Sequence, residues 1–472
     1  MDNSPIYKSL NDYIAEKVYP FHMPGHKQGR LYNIENLYEI DLTEIQGTDN
    51  LHNPKDVIKE AQILASKTFG SQNTYFLVNG STVGLMASIT AVCNPGDELI
   101  VARNCHRSVY NGMVTTGVIP RYVIPEIINE YGIIGGINPN DIKNILNKYP
   151  DVKGMVITSP TYEGFISDIK EISNILHEKE KILIVDEAHG AHFKFHNDFP
   201  NTALELGADI VIQSIHKTLP AFTQSAMLHV KGDYVDTNKI QNALAMYESS
   251  SPSYILMAGL DCCRNYLDSK GKIDFDNYLI MLNNYREKFK NLKNIKLLGR
   301  EICGQKSIVD IDISKLVFYT TSCTGTEIER ILRKKYKIQL ELANEDHFLA
   351  ISTVADDEYG MNKLYSALVE IDLKLNKMEN KATNYDIIEV DNIKLTPREA
   401  YFENKKTISI EQSINYVCGE FIIPYPPGIP LIVPGEVITQ DIVKKIKKNK
   451  ELGIEMIGMK DHKNNNIQII EV

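Results

Sequence analysis

The feature that most constrains the fold is a repeated alternation of short apolar runs, polar turns and helical spacers between Tyr75 and Val230. The apolar runs have the lengths of strands and occupy residues 75–78, 98–102, 121–124, 154–158, 182–185 and 209–212. Most are continuously apolar, which is typical of strands in a sheet covered on both faces. Helical spacing at residues 139–149 and 169–180 separates several of them. The alternation predicts an α/β domain with a mainly parallel sheet.

Around this repeat the sequence predicts four parts. They are an N-terminal arm, a large α/β domain, a smaller α+β domain and a C-terminal segment, at residues 1–50, 51–300, 301–384 and 385–472. A helix is predicted to begin near Asn53, with Pro54 at its first position and Gly70 at its end. In the smaller domain we expect strand, helix, strand and helix, then an exposed linker, at residues 308–313, 326–335, 347–353, 359–374 and 376–384.

Net charge, cysteine content and hydropathy limit the classes of protein to which this chain can belong. The formal net charge is −10, which argues against a general nucleic-acid binder because such a protein needs a basic face. The seven cysteines form no C-x-x-C pair, which indicates a reducing compartment and gives no sign of a zinc site. No secretory signal is visible, and no apolar run reaches the roughly 18 residues of a membrane span. These features predict a cytoplasmic protein without a structural metal.

Polar residues follow the predicted strands at the end where an open α/β sheet binds its ligands. These residues are Ser81 and Thr82, His106, Thr161 and Tyr162, Asp186 and His189, and Ser214, His216 and Lys217. Each has an ordinary structural explanation when taken alone, such as a helix cap or a solvated lysine. Five strand ends that present hydroxyls, imidazoles, a carboxylate and a lysine to one edge are harder to explain without a ligand.

Pyridoxal phosphate catalysis needs this combination of groups. The cofactor requires a lysine to hold its aldehyde, a carboxylate at its pyridine nitrogen and an anion site for its phosphate. Lys217 supplies the amine and Asp186 the carboxylate. Ser81, Thr82 and Ser214 can bind the phosphate, assisted by the dipole of the helix that begins near Ser81. The sequence therefore predicts a pyridoxal phosphate enzyme.

The motifs that carry these residues resemble the fold-type I pyridoxal phosphate enzymes of the ornithine/lysine/arginine decarboxylase family. The resemblance is closest to the short bacterial arginine decarboxylase branch. It runs along almost the whole chain, at residues 21–27, 49–54, 80–82, 103–108, 160–164, 186–192, 213–219, 252–254 and 424–430. It implies the fold of aspartate aminotransferase-like large domains with a smaller C-terminal part.

The resemblance also implies a role for each site residue. Lys217 matches the Schiff-base lysine, Asp186 the partner of the pyridinium, and His106 the imidazole stacked on the ring. The phosphate-side positions match Ser81, Thr82, Ser214 and His216, and His216 also matches the residue proposed to protonate Cα. Ala188 would pack on the other ring face and His189 would lie near the ring hydroxyl. Glu420 matches a carboxylate suited to the distal cation of a substrate, although a surface carboxylate at a strand start is the alternative.

We therefore expect decarboxylation of a basic L-amino acid, with arginine favoured and agmatine and carbon dioxide as products. The same machinery would serve a lysine or ornithine decarboxylase. Transamination and non-catalytic binding of the cofactor are the further alternatives. The first resembling motif begins so early that we expect no N-terminal receiver-like domain and no decamer assembled through one. A homodimer, or a higher assembly of dimers, is the expected oligomer.

Overall fold

The N-terminal part of the chain contributes two helices and a strand before the central sheet begins. In the computed structural model, which describes residues 4–375, 393–425, 428–463 and 465–471, these elements are α1 (Pro5–Ala15), β1 (Tyr19–Phe21) and α2 (Val57–Phe69). Helix α1 was not predicted, because the arm was expected to be irregular; its only proline stands in the first turn, where proline is tolerated.

Helix α2 begins later than the sequence predicted and ends where it was predicted to end. The start at Asn53 is wrong, because the carboxylate of Asp49 accepts the backbone N–H groups of Asp56 and Ile58 at 2.9 and 3.1 Å. The first turn is therefore satisfied from a residue upstream of the predicted cap. Gly70 terminates the helix with a left-handed φ of 80°, as predicted.

The predicted α/β fold is confirmed by a seven-stranded sheet. The elements of this region are β2 (Asn73–Leu77), α3 (Gly80–Val92), β3 (Glu98–Ala102), α4 (Arg107–Thr116), β4 (Ile119–Val123), β5 (Ile127–Ile128), β6 (Ile133–Ile134), α5 (Pro139–Lys148), β7 (Gly154–Thr158), β8 (Phe165–Ile166), α6 (Ile169–His177), β9 (Ile182–Asp186), β10 (Ile210–Gln213), α7 (Ile215–Thr218) and β11 (Ala226–Val230). The sheet order is β2-β11-β10-β9-β7-β3-β4. Among the seven described strands of this sheet, β11 alone runs opposite to the other six, and it was not predicted.

Three helices and a second sheet follow. These elements are α8 (Thr237–Tyr247), α9 (Tyr254–Tyr266), α10 (Lys272–Phe289), β12 (Ile295–Leu297), β13 (Asp310–Ile311), β14 (Lys315–Thr320), α11 (Gly325–Ile331), β15 (Ile338–Leu340), β16 (Leu342–Ala343), β17 (His347–Ile351) and α12 (Glu358–Asp372). The sheet β12-β14-β17-β16 is antiparallel. Strand β1 of the arm pairs with β15, so the arm is joined to this smaller part of the chain.

The C-terminal segment packs against the large domain. Its elements are α13 (Pro397–Phe402), β18 (Lys406–Ser409), β19 (Val417–Cys418), β20 (Ile423–Tyr425), α14 (Gln440–Glu451), β21 (Glu455–Ile457) and β22 (Asn466–Ile470). Arg103 joins the two parts through a buried ion pair with Glu436 at 2.8 Å. The predicted linker at 376–384 and two prolines of the proline-rich turn, at 426 and 427, lie outside the described residues. The four-part division of the chain stays a prediction.

Candidate active site

The carboxyl ends of β2, β3, β9 and β10 meet at one edge of the central sheet. These strands are parallel to one another, so the residues that follow each of them lie on the same side. Asp186 ends β9 and lies opposite Ile212 of β10 and Thr158 of β7. The sequence-predicted groups at residues 81, 106, 186, 189, 214 and 217 are therefore brought to one edge.

Lys217 stands on α7, a single helical turn directly after β10. Its Nζ atom lies 3.0 Å from Nε2 of His189. Burial lowers the pKa of Lys217, and the nearby charges of Asp186 and Glu341 oppose that shift. The lysine is therefore held where its unprotonated, nucleophilic form is favoured.

Asp186 is a buried carboxylate with a fixed orientation. It is 3% exposed, and its Oδ1 accepts the backbone N–H of Ala188 at 3.2 Å. Burial raises the pKa of Asp186, while the charge of Lys217 and the bond from Ala188 lower it. The charge of a carboxylate in this position is poorly solvated, so a bound cation would stabilise its ionised form.

Two hydroxyls and a helix N-terminus form an anion-binding corner beside Lys217. The hydroxyl of Ser214 donates to that of Ser81 at 2.8 Å. Ser81 lies in the first turn of α3, which Gly80 enters with a φ of 76°. Thr82 is exposed beside it, and the buried hydroxyl of Thr218 has no hydrogen-bond partner among the described residues. Backbone amides at a helix N-terminus and nearby hydroxyls can donate hydrogen bonds to a phosphate, and the helix dipole favours its negative charge.

Two imidazoles near Lys217 are neutral at ordinary pH. His106 caps α4: its Nδ1 accepts the N–H of Ser108 at 3.3 Å. Burial, followed by the charge of Lys217, lowers the pKa of His106 to about 3. His216 donates from Nδ1 to the carbonyl of Ser225 at 2.9 Å, and burial lowers its pKa to about 4. Gly428 packs against the edge of the His106 ring: a Cβ at residue 428 would lie 3.2 Å from the Cδ2 atom of that ring.

His189 links Lys217 to Tyr162 and Glu341, two residues without a sequence-predicted role. Its ring centroid lies 4.7 Å from that of Tyr162, and its Nδ1 has no partner among the described residues. The hydroxyl of Tyr162 donates to Glu341, and the other oxygen of Glu341 accepts the N–H of Met23 at 2.9 Å. Tyr162 belonged to a motif after a predicted strand, whereas Glu341 reaches the site from the smaller sheet, where no strand-end rule applies.

Glu420 is placed apart from this group. Its two carboxylate oxygens accept the backbone N–H groups of Gln468 and Lys460 at 2.9 and 2.8 Å. Both partners belong to the C-terminal segment, so the carboxylate joins loops within that segment. These contacts favour a structural role, because each carboxylate oxygen already holds a backbone amide of the same segment.

A cleft of about 930 Å³ adjoins the site between the large domain, the smaller sheet and the C-terminal segment. Lys217 and Asp186 do not line it, but Glu341 and Asn104 do, and these residues stand next to the group around Lys217. Glu163 lies on the same wall, with a side chain that is 11% exposed. The cleft is therefore lined by carboxylates that include Glu163 and Glu341, and the charge of Glu341 acts on Lys217.

Comparison with known proteins identifies the family. Residues 4–322 match the Orn/Lys/Arg decarboxylase major domain, and residues 378–461 match the C-terminal domain of the same family. The chain belongs to the Orn/Lys/Arg decarboxylase family. It is 35% identical over 479 residues to the arginine decarboxylase of Bacillus subtilis strain 168, covering 99% of this chain and 98% of that protein. The arginine decarboxylase of Bacillus anthracis is 33% identical over a similar length. The chain is therefore a decarboxylase.

Solved structures of this decarboxylase family share the fold. The lysine decarboxylase LdcF of Francisella novicida superposes with a TM-score of 0.79 at 21% identity, over 95% of this chain and 78% of that one. Lysine decarboxylase A of Pseudomonas aeruginosa gives a TM-score of 0.79 at 20% identity, over 99% of this chain and 82% of the other. Among the described residues, no helix is long and apolar enough to cross a membrane.

Proposed function

We propose that this decarboxylase uses pyridoxal 5'-phosphate to convert L-arginine to agmatine and carbon dioxide. The observation that carries the proposal is that the half-buried amine of Lys217 and the buried carboxylate of Asp186 stand at one sheet edge, with the charge of Asp186 acting on Lys217. Near full-length similarity to proteins named arginine decarboxylase supports arginine as the substrate. The lysine decarboxylase LdcA of Pseudomonas aeruginosa, at 29% identity over 54% of this chain, is a more distant relative.

The residues at the sheet edge fit the cofactor. Lys217 is the amine for its aldehyde, Asp186 the partner of its ring nitrogen, and Ser81, Thr82, Ser214 and His216 lie on the phosphate side. The unpartnered, buried Nδ1 of His189 and Oγ1 of Thr218 are polar atoms that a bound ligand would satisfy. His106 and Ala188 would flank the two ring faces. When bound, the cofactor supplies a protonated ring that accepts the electron pair left by the departing carbon dioxide.

The chain's own residues create the conditions for that chemistry. The carboxylate of Asp186 would hold a proton at the ring nitrogen of the bound cofactor, and burial would strengthen this ion pair relative to water. The neutral imidazole of His106 is a flat, uncharged surface that can stack without competing for that charge. Because Nδ1–H of His216 is donated to Ser225, its Nε2 is an acceptor when the ring is neutral. A role for His216 in protonating Cα therefore requires a proton to be delivered to Nε2.

The carboxylate of Glu163 is suited to bind a cationic substrate, because its basic neighbour does not balance its charge. Its basic neighbour His347 lies 3.8 Å away, and burial lowers the pKa of that imidazole to about 4, so it is neutral at pH 7. Two lysines of the cleft are already paired, Lys448 with Glu345 and Lys444 with Asp441. Burial raises the pKa of Glu163, so a guanidinium would stabilise its charged form. A guanidinium can meet a carboxylate with two parallel hydrogen bonds, which an ammonium cannot.

The proposal includes a homodimer as the smallest assembly. The apolar side chains of Ile6, Leu10 and Ile14 lie along one stripe of α1 and are 78%, 59% and 61% exposed. Such a stripe is unfavourable in water, and a second copy of the chain would cover it. Replacing Leu10 and Ile14 together by aspartate should convert dimer to monomer in sedimentation velocity. Unchanged sedimentation of that variant would show that α1 is not part of the interface.

A cytoplasmic location of the protein stays a prediction.

Product analysis tests the reaction. Purified protein loaded with pyridoxal 5'-phosphate is incubated with arginine, lysine and ornithine in parallel, and the amines are measured by mass spectrometry. Agmatine from arginine, with a kcat/KM at least about tenfold above that for the other two, is the expected result. Preferential production of the lysine or ornithine amine would reassign the substrate, and the absence of all three amines would reject the reaction.

A further inference from the structure

Lys27 is a fully buried ammonium that the reaction does not use directly. Its side chain is 1% exposed, and Nζ donates to the carbonyl oxygens of Pro20, His22 and Ile351 at 2.9, 3.0 and 2.9 Å. The carboxylate of Asp356, also completely buried, lies 3.8 Å from Nζ. All three protons of the ammonium are thus engaged, and its charge is balanced.

The groups that Lys27 joins come from two separate parts of the chain. Pro20 and His22 belong to the arm around β1, whereas Ile351 ends β17 of the smaller sheet and Asp356 lies in the turn after it. The hydroxyl of Tyr19 adds a further bond to Asp356 at 3.0 Å. The ammonium therefore fixes the arm segment to the central strand of the smaller sheet.

Gly25 connects the anchored arm segment around β1 to α7, the turn that bears Lys217. Its N–H donates to the carbonyl of His216 at 2.7 Å, and its own carbonyl accepts the hydroxyl of Thr353 at 2.8 Å. A Cβ at residue 25 would lie 2.7 to 2.8 Å from backbone atoms of Thr218 and Leu219. Gly25 is thus packed between the smaller sheet and the backbone on either side of Lys217.

Helix α7 needs such outside support. It contains only the four residues Ile215–Thr218, and one helical turn is unstable by itself because a single turn gains too few hydrogen bonds to offset its ordering. It is also held by two hydrogen bonds from His216 to Ser225 and by the fully buried side chain of Ile215. A shift of the arm segment would therefore move the backbone from which the Lys217 side chain extends.

We propose that Lys27 is a positioning residue for Lys217, which acts by anchoring the arm segment so that Gly25 holds the backbone of α7 in place. The proposal rests on the proposed role of Lys217 as the cofactor lysine. It differs from a general stabilising role because it concerns one covalent step, in which the amine of Lys217 would condense with the aldehyde of the cofactor, forming a C=N bond and releasing water. A misplaced Lys217 would slow this step even where the anion-binding corner around Ser81 and Ser214 is intact.

The test compares two ligands of the apoprotein. Pyridoxal 5'-phosphate can bond to Lys217, whereas pyridoxamine 5'-phosphate has the same ring and phosphate but no aldehyde. The variants are Lys27→Met, Gly25→Ala and the milder Asp356→Asn. Arg286→Met is the control for Lys27, since Arg286 is a buried cation that donates to the carbonyls of Ile313 and Leu298. Gly271→Ala is the control for Gly25, since a Cβ there meets other atoms only from 3.6 Å.

We expect the variants to slow covalent capture of the aldehyde while leaving binding of the ring and phosphate nearly unchanged. Lys27→Met and Gly25→Ala should slow covalent capture of pyridoxal 5'-phosphate, followed by absorbance and borohydride trapping, by about tenfold or more. The dissociation constant of pyridoxamine 5'-phosphate should change by less than about threefold, and both controls should leave both measurements unchanged. Capture at the wild-type rate, or equal loss of both ligands, would overturn the proposal. If Lys27→Met does not fold, Gly25→Ala and Asp356→Asn decide by the same comparison. Failure of the wild-type protein to capture pyridoxal 5'-phosphate would instead reject the proposed function.

Discussion

The Nζ atom of Lys217 and the Nε2 atom of His189 lie 3.0 Å apart in a half-buried contact at the edge of the central sheet. Two cations at that distance would repel each other strongly, and burial, followed by the charge of Lys217, lowers the pKa of His189 well below its ordinary value. His189 is therefore neutral and accepts a hydrogen bond from the amine. This contact holds the end of the Lys217 side chain at the edge of the sheet, close to the carboxylate of Asp186.

Replacing Lys217 by alanine should abolish turnover and leave the fold intact. The amine is the covalent attachment point in the proposed reaction, and we expect a loss of about 1,000-fold or more in kcat/KM. Borohydride trapping followed by peptide mass spectrometry should show a cofactor adduct at residue 217 in the wild-type protein and none in the variant. Near-normal turnover by Lys217→Ala would contradict the assignment.

Asp186→Asn should retain the cofactor but lose most of the rate. The amide cannot stabilise a proton on the ring nitrogen, and a 100-fold loss in kcat corresponds to about 2.7 kcal/mol of transition-state stabilisation. Asp209→Asn is the matched control, because Asp209 is a buried carboxylate at the opposite end of the same sheet, 2% exposed. Equal kcat values for Asp186→Asn and the wild-type protein would leave Asp186 with only a structural role.

Glu163→Gln and Glu420→Gln should separate substrate binding from support of the C-terminal segment. Loss of the Glu163 charge should raise the KM for arginine by about tenfold or more, with a smaller effect on melting temperature. Glu420→Gln should instead lower the melting temperature, because one of its bonds to the amides of Gln468 and Lys460 is lost. The opposite pattern, with KM changed only by Glu420→Gln, would restore the substrate role that the sequence predicted for Glu420.

The pH dependence of stability should include a contribution from His229. Burial lowers its pKa to about 3, so between pH 6.5 and 3 the unfolded chain binds a proton that the folded chain does not. This contribution to the free energy of unfolding is present above pH 6.5 and falls as the pH drops, by about 2 kcal/mol between pH 7 and pH 5. His229→Gln should reduce the loss of stability over that interval in urea titrations. An identical pH dependence in both proteins would show that His229 does not titrate in this way.

Much of the large domain could be predicted from its local pattern. The strands at 98–102 and 154–158 have the predicted bounds, because each is an apolar run bordered by polar turn residues. Strand β11 was missed because it returns antiparallel beside β10 without the helical spacer that marked the other strands. Strand β14 of the smaller sheet was missed as well, and the predicted strand at 308–313 is confined to Asp310–Ile311, which pairs with β8 of the large domain. Such pairing depends on a partner far away in sequence.

Which residues of the site follow strands can be predicted from the amino-acid order alone. Because parallel strands end at one edge, the order of strand and polar turn is enough to bring Ser81, His106, Asp186 and Lys217 together. The partners that come from other parts of the chain depend on how those parts pack: Glu341 lies beside Tyr162, and Gly25 lies against the turn of Lys217. The tertiary structure also placed the carboxylate of Glu420 on backbone amides and left Glu163 in the cleft. These contacts depend on how separately folded parts pack together, which no local periodicity encodes.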